Sequence, residues 1–149
     1  MKKSENINEL ATALSNTQIG LKDVFKGTSG FNYNYATLDS VYDEVRPKMT
    51  LNGLSLTHEK SFNRVDNIIE LRSLLLHTSG QWIEYYGSLP FVSMKQMNDY
   101  QASGSGFTYL ERYQTSAIFA ITADEDNDGT EKKDTKSKAK ATSADSGSW

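Results

Sequence analysis

An arginine placed between two tyrosines is the feature of this sequence whose residue types best fit a chemical task. Arg112 follows Tyr109 by three residues and directly precedes Tyr113. A guanidinium can bind phosphate oxygens, and tyrosine rings can stack on nucleobases. Gly104 and Gly106 lie just before this group, and we predict that they form a turn that opens a helix. The free N–H groups of that helix N-terminus would offer a site for a phosphate.

The same stretch also fits a simpler interpretation, an amphipathic helix over residues 107–121 with a solvated arginine. The side chains predicted to face the core are Phe107, Leu110, Gln114, Ala117, Ile118 and Ile121. Those predicted to lie mainly on the other side are Tyr109, Arg112, Tyr113 and Ser116. The residues alone leave both interpretations open, a nucleic-acid contact and a solvated helix face.

Signals for catalysis and for metal binding are weak. The acidic run from Asp124 to Asp128 has the spacing with which a calcium loop begins, but Thr135 stands where that loop needs its glutamate. His58 and His77 lack the spacing of metal ligands. The sequence contains no Gly-x-x-x-x-Gly-Lys-Ser/Thr phosphate loop, which argues against an ATPase. We therefore expect no enzyme activity, no metal site and no cofactor.

The composition limits the classes of function. The 149 residues include no cysteine, which excludes disulfides and cysteine-based zinc sites. The net charge is -3, and residues 124–149 carry seven acids and five lysines, so the preceding body is close to neutral. A nucleic-acid site on such a body must be a local groove rather than a whole basic face. Because we find neither an apolar run of transmembrane length nor a signal peptide, we expect a cytoplasmic location and no membrane partner.

Helical spacing of apolar residues predicts two helices in the first third of the chain. The first covers about residues 5–26, with a break considered near Gly20, and precedes a flexible, glycine-rich loop. Thr37 is the predicted N-cap of the second helix, and Asn52-Gly53 is its predicted end. Pro47 is predicted to kink this second helix or to start a further short one.

Three later segments alternate apolar and polar residues, as strands with one buried face do. They cover residues 54–62, 68–78 and 81–89, and short turn-like stretches connect them. We predict an α+β fold in which an antiparallel three-stranded β-meander packs against helices that precede and follow it.

The end of the chain has a different composition from the body. From Asp124 onward it is rich in lysine, serine, alanine and acids, without apolar periodicity. Such a segment cannot bury enough apolar surface to fold. We therefore predict one folded domain at residues 1–129 and a disordered, acidic and lysine-rich tail at residues 130–149.

Two blocks of the sequence have a pattern known from one protein family. The pattern Gly-Ser-x-x-Thr-Tyr-x-x-Arg-Tyr is matched by Gly104, Ser105, Thr108, Tyr109, Arg112 and Tyr113. The upstream block is matched by Tyr35, Ala36, Thr37, Leu38, Asp39, Val45, Arg46 and Pro47. With these blocks, the sequence resembles the ERF family of phage single-strand annealing proteins over about residues 10–129. It departs from the family at Asn34, where a basic residue is usual, and at Glu111, where a basic or neutral residue is usual.

The resemblance implies a β-β-β-α core and a homo-oligomer, either a ring or a filament. It further implies that the protein holds single-stranded DNA by its backbone in a groove that crosses subunits. The implied activity is ATP-independent annealing of complementary strands in phage homologous recombination, with the annealed duplex as an intermediate. Magnesium would then serve only as a counter-ion of the DNA.

The resemblance also implies a set of DNA-binding residues and no catalytic residue. The expected backbone contacts are Arg112, Lys95, Arg46 and Lys48. The expected stacking or groove-lining residues are Tyr109 and Tyr113, and Thr108 and Ser105 belong to the same motif. Glu111 would weaken the attraction for phosphate beside Arg112, unless it pairs with a lysine or a neighbouring subunit.

Two other functions fit the same residues. A protein that coats and protects single-stranded DNA, or a phage assembly component, would share the aromatic and arginine features without speeding the pairing of strands. A metal-dependent nuclease would shorten DNA in the presence of magnesium. The tail, which ends at Trp149, could recruit a host single-strand-binding protein or remain a solvated end.

Overall fold

The computed structural model describes most of the chain before residue 124. The described residues are 1–24, 28–29, 34–93, 95 and 97–123. Three predictions lie outside them: the disordered tail, the domain boundary after residue 129, and the weak calcium-loop pattern of the acidic run.

Three helices and two antiparallel sheets make up the described part of the chain. The elements in order are β1 (Lys2–Lys3), α1 (Asn8–Gly20), β2 (Thr28–Ser29), β3 (Asn34–Tyr35), α2 (Leu38–Leu51), β4 (Leu54–Asn63), β5 (Ile68–His77), β6 (Trp82–Pro90) and α3 (Asp99–Phe119). The main sheet has the strand order β1-β6-β5-β4, and β2 pairs with β3 separately. The predicted α+β class is confirmed.

The three predicted strands form the antiparallel ladder of the main sheet, within a residue or two of the expected bounds. Leu56 pairs with Leu75, which pairs in turn with Ile83, so one apolar row crosses β4, β5 and β6. Alternate residues point to the other face, where Arg72 and Tyr86 are exposed. Because one face of the sheet is buried and the other is exposed, apolar and polar residues alternate along each strand, and this pattern predicted the strands correctly.

The sheet has four strands rather than the three expected from the sequence. Strand β1 adds to the edge of β6, with Lys2 opposite Glu84 and Lys3 opposite Ile83. A two-residue strand has too little alternation to be recognised in a sequence. The hairpin of β2 and β3 was also missed, because a flexible loop was expected at residues 27–30.

The first helix begins later than predicted and ends at Gly20, where a break was considered. It covers Asn8–Gly20 rather than residues 5–26, and Leu21 is already extended at φ -82°, ψ 150°. Leu21 and Val24, which follow the helix, are partly buried against the core. There the N–H of Val24 donates to the carbonyl of Thr122 at 3.0 Å, instead of continuing the helical ladder.

The second helix begins and ends where the sequence predicted. The hydroxyl of Thr37 accepts a hydrogen bond from the N–H of Ser40 at 3.2 Å, as an N-cap does. Asn52 is the C-cap, and Gly53 follows at φ 70°, a conformation that favours glycine. Pro47 lies inside α2, which continues as a single helix and does not restart at the proline.

The third helix starts earlier than predicted, and this corrects the predicted phosphate turn. Asn98 caps α3 through its side chain, which accepts from the N–H of Gln101 at 2.9 Å, and Gln101 reciprocates in a capping box. Gly104 and Gly106 therefore lie inside the helix, with their N–H groups in its interior. The predicted N-terminal phosphate site at these glycines is wrong.

Glycine instead lets α3 lie close to the sheet. A Cβ on Gly106 would be 2.5 Å from Cδ1 of Ile69 on β5. A Cβ on Gly87 of β6 would be 2.8 Å from Oε1 of Gln114 and 3.2 Å from Cδ1 of Leu110, both on α3. Because Gly87 and Gly106 have no Cβ, α3 can lie this close to the sheet.

The core lies between the three helices and one face of the main sheet. Its fully buried large side chains include Leu10 of α1, Val41 and Val45 of α2, Leu75 of β5 and Phe119 of α3. Because one layer of helices covers one face of an antiparallel sheet, the opposite face carries exposed polar residues such as Glu59 and Arg72.

Candidate functional site

The predicted arginine and tyrosines come together on one side of α3. The ring centroids of Tyr109 and Tyr113 are 4.4 Å apart and the rings are tilted by 42°. Cζ of Arg112 lies 5.5 Å from the centroid of Tyr109 and 5.1 Å from that of Tyr113. These distances are those of cation–π contacts, so one guanidinium contacts both rings. We call these three residues the α3 stack.

The α3 stack buries its cation and exposes its rings. Arg112 is 8% exposed, whereas Tyr109 is 52% and Tyr113 is 41% exposed. Nη1 of Arg112 donates to the backbone carbonyl of Ala36 at 3.1 Å. The prediction that Arg112 lies on the solvated side of the helix is therefore wrong.

The rest of α3 shows why the arginine is buried. The helix packs on the sheet through Gly106 and Leu110, and it also packs on α2 and on Ala36 through a second side. That second side contains Glu111, Arg112, Thr115, Ser116 and Phe119, which are all buried. Ser116 was predicted to face outward, and Ala117, predicted to face the core, is exposed. The predicted pattern has one buried side, whereas α3 is packed on two.

The remaining motif residues of α3 lie at its surface. Thr108 and Ser105 are both exposed, and the hydroxyl of Thr108 donates to the carbonyl of Gly104 at 3.0 Å. That bond is internal to the helix, so it ties up one of the two hydrogen-bonding functions that a DNA contact would use. Lys95 is exposed just before the helix begins.

A second arginine–tyrosine contact occurs on α2. Cζ of Arg46 lies 5.1 Å from the ring centroid of Tyr42, one helical turn earlier, and Arg46 is exposed. We call this pair the α2 stack. Lys48, predicted as a further backbone contact, forms an ion pair with Glu44 of the preceding turn, which leaves it less charge to offer a phosphate.

A partly buried polar network joins α2, β4 and α3 between the two stacks. The hydroxyl of Tyr42 donates to Oε1 of Glu111 at 2.5 Å, and Nζ of Lys60 lies 2.6 Å from Oε2 of the same carboxylate. Nε2 of His58 lies 2.9 Å from the Tyr42 oxygen, and Nδ1 lies 2.6 Å from Oγ of Ser73. Glu111 therefore pairs with a lysine, which is the condition under which its charge beside Arg112 is neutralised.

The hydrogen bonds and the pKa shifts together indicate where the protons of the network lie. Because the single hydroxyl proton of Tyr42 goes to Glu111, Nε2 of His58 must donate to the Tyr42 oxygen. The lowered pKa of His58 favours the neutral imidazole, in which Nδ1 accepts from the hydroxyl of Ser73. The chain of donors runs from Ser73 through His58 and Tyr42 to Glu111.

The environment shifts the pKa of each titratable member of the network. Burial raises the pKa of Tyr42, and the hydrogen bond to Glu111 adds to this. Burial alone would raise the pKa of Glu111, but Lys60 and Tyr42 together hold it below its usual value. Burial lowers the pKa of His58, against the opposing charge of Glu111. All three shifts favour the charge states that the hydrogen bonds require.

Sequence reasoning missed the network, although a signal for it existed. His58 and Lys60 alternate with the exposed residues of β4, so they share the face of Leu54 and Leu56. A histidine and a lysine on the core-facing side of a strand need polar partners. Glu111 is the acid that departs from the family pattern. It lies next to Lys60 and binds Tyr42, which also contacts His58, so this departure and the polar residues on the core-facing side of β4 belong to one network.

Other kinds of site were sought in the same part of the chain. No group of three or more His, Asp or Glu side chains among the described residues is placed to hold a metal ion. Of the three described helices, none is both long enough and apolar enough to cross a bilayer.

Comparison with known proteins gives one finding. A family model described as the ERF superfamily matches residues 10–148, which is most of the chain. No curated protein and no solved structure gives a significant match.

Proposed function

Since the chain belongs to the ERF superfamily, a family associated with phage DNA recombination, we propose that it binds single-stranded DNA and anneals complementary strands without ATP. One observation carries this proposal. The motif helix presents two adjacent tyrosine rings to solvent, at 52% and 41% exposure, on an arginine that contacts both.

An exposed ring pair suits a ligand of any base sequence. Every nucleobase has a π face, so stacking on a tyrosine tolerates all four bases and contributes about 1–3 kcal/mol per base. Annealing requires such tolerance, because the protein must hold whichever strand it meets and leave its pairing edges accessible.

The charge of the body is consistent with few phosphate contacts per subunit. Arg46 and Lys95 are exposed cations, whereas Lys48 shares its charge with Glu44. Binding in an array would multiply such weak contacts through effective concentration. We therefore propose a homo-oligomer, a ring or a filament, in which one strand crosses several subunits.

The proposed reaction needs no chemical step by the protein. Each stacked base-pair step of a DNA duplex contributes about 1.4 kcal/mol, so pairing is downhill once two strands are aligned. The protein would remove hairpins and reduce repulsion between strands, without a nucleotide cofactor and with magnesium only as a counter-ion. It would act in the cytoplasm of the bacterial host.

The proposal is tested by mixing the protein with two complementary dye-labelled oligonucleotides without ATP. We expect duplex to form faster than in the protein-free control, with strands of full length recovered. The double variant Tyr109→Ala/Tyr113→Ala should lose most of the acceleration. Tyr100→Ala is the matched control, because Tyr100 is 90% exposed on the same helix but lies outside the α3 stack.

The result also separates the alternatives. Tight binding that slows pairing would overturn annealing and favour a protein that coats single strands. Shortened strands in the presence of magnesium would instead favour a nuclease. Normal acceleration by the double variant would remove the α3 stack from the site.

Recruitment of a host single-strand-binding protein by residues 130–149 is a separate proposal that rests on the sequence alone. A chain truncated after residue 129 should anneal naked strands normally but should fail to act on strands coated with that host protein. Equal activity of the truncated and full chains on coated strands would end the idea.

A further inference from the structure

We infer that Arg112 is a positioning residue, which fixes Tyr109 and Tyr113 as a platform for nucleobases, and that it does not itself bind a phosphate. This inference rests on the proposed binding of single-stranded DNA. It changes the role that the family resemblance implied for Arg112.

The position of the Arg112 guanidinium disfavours a contact with phosphate. Arg112 is 8% exposed, and Nη1 is committed to the carbonyl of Ala36 at 3.1 Å. A phosphate contact would need the guanidinium to leave that carbonyl and the two rings that cover it. Both are interactions that become more costly to break when they are desolvated.

The guanidinium of Arg112 contacts the rings of both Tyr109 and Tyr113. Its Cζ lies within 5.5 Å of each centroid, and the rings are only 4.4 Å apart. A tyrosine on a helix surface otherwise samples several rotamers, and binding a base then has an entropic cost. The buried cation limits the rings to one arrangement, so a strand meets a surface that is already ordered.

The charged groups near the Arg112 guanidinium make it a poorer phosphate contact than Arg46. Glu111, the preceding residue, is ionised and held by Lys60 and Tyr42 on the same side of α3. Because Lys60 already pairs with this carboxylate, the lysine adds little attraction for a phosphate beside Arg112. Arg46 of the α2 stack is exposed and offers its cation at the surface, so it is the better phosphate contact.

The dependence of binding on salt separates the two roles. Each phosphate contact to a single strand contributes about 0.7 to the slope of log K against log salt concentration. We expect Arg46→Gln to reduce that slope by about 0.7. Arg112→Gln should weaken binding about tenfold at a fixed salt concentration and leave the slope unchanged. Arg72→Gln, which removes an exposed arginine from the open sheet face, is the charge-matched control and should change neither quantity.

A strand without bases supplies the second measurement. On an oligonucleotide of abasic sites the phosphates remain, but a platform has nothing to stack on. The affinity lost through Arg112→Gln on the normal strand should therefore disappear on the abasic strand. A merely structural role would instead weaken binding to both strands alike. A loss that persists on the abasic strand, or a slope reduced by about 0.7, would overturn the inference.

Wild-type protein decides the question if Arg112→Gln does not fold. Phenylglyoxal modifies accessible arginines, and mass spectrometry locates the adducts. We expect Arg46 to react and to be protected by single-stranded DNA, with Arg112 unreactive in both states. Modification of Arg112 that DNA suppresses would overturn the inference. Wild-type protein that binds no single-stranded DNA would refute the proposed function itself, a result that none of these outcomes resembles.

Discussion

The α2 stack and the α3 stack use the same two residue types in opposite ways. In the α2 stack the arginine is exposed and the ring of Tyr42 is half-buried. In the α3 stack Arg112 is buried and the rings of Tyr109 and Tyr113 are exposed. A ligand would meet a cation at the first stack and aromatic rings at the second.

The difference arises from what each helix packs against. Tyr42 points toward β4 and α3, where His58 and Glu111 bind its hydroxyl, and Arg46 follows one turn later at the surface. Arg112 lies on the second packed side of α3, where the carbonyl of Ala36 accepts from it. A buried guanidinium needs acceptors and favourable π faces, and the α3 stack supplies both. The comparison shows that an arginine beside tyrosines does not indicate by itself which of them faces the ligand.

Replacing Arg112 should have the largest effect on stability, whereas replacing Arg46 should have little. Arg112→Ala should lower the free energy of unfolding by about 2–3 kcal/mol, because it removes a buried charge-assisted hydrogen bond and leaves a cavity. Arg46→Ala should change it by no more than about 0.5 kcal/mol, since the side chain is exposed. Urea denaturation followed by circular dichroism measures both. Equal losses for the two variants would contradict the opposite burial on which the comparison depends.

A smaller effect should distinguish the two glycines that precede the α3 stack. Gly106→Ala places a methyl group against Ile69 and should destabilise the protein by about 1 kcal/mol, after the gain in helix propensity is subtracted. Gly104→Ala meets no atom within 4 Å and should stabilise α3 by up to about 1 kcal/mol. The shift in thermal midpoint of each variant measures this. Destabilisation by both substitutions would indicate a turn at these residues and would restore the N-terminal site.

The smallest effect concerns the support of the α2 stack and appears as acid sensitivity. Burial holds the pKa of His58 below its ordinary 6.5, so the unfolded chain binds more protons in the interval below that value. The free energy of unfolding should therefore fall as the pH is lowered through 6.5. His58→Gln should flatten this part of the profile, because it removes the titrating group. Urea denaturation at pH 7.5, 6.5 and 5.5 tests this, and an unchanged profile in the variant would exclude His58 as its source.

The sequence was most informative where one pattern had one physical cause. The alternation on β4, β5 and β6 reflects a sheet with a single buried face, so the strands were placed almost to the residue. The N-cap Thr37 was found for a similar reason, since its hydroxyl bonds within its own helix. The start of α3 is also encoded locally, by the capping box of Asn98 and Gln101, whereas Gly104 and Gly106 lie inside the helix.

The site was only half determined by the sequence. The residue types and the helix of the α3 stack were identified from the motif, and Tyr109 and Tyr113 lie on the exposed side as expected. The burial of Arg112 was not predicted, because a helical pattern describes only one apolar side. Polar residues on a second packed side have the same pattern in the sequence as a solvated face. Lys60 and Glu111 were likewise unpaired in the sequence, since the residues that pair come from separate elements.

By itself, then, the sequence determined the three long strands β4, β5 and β6, the presence of three helices and the family motif. Each of these depends on the spacing of residues along one element, or on residues close together in the chain. Only the tertiary structure decided which side of α3 meets α2, and thereby whether Arg112 or its two tyrosines face solvent. The contacts responsible join residues far apart in the chain, such as Arg112 with Ala36 and Tyr42 with Glu111. Their partners are selected by the packing of one element on another, which no periodicity within a single element records.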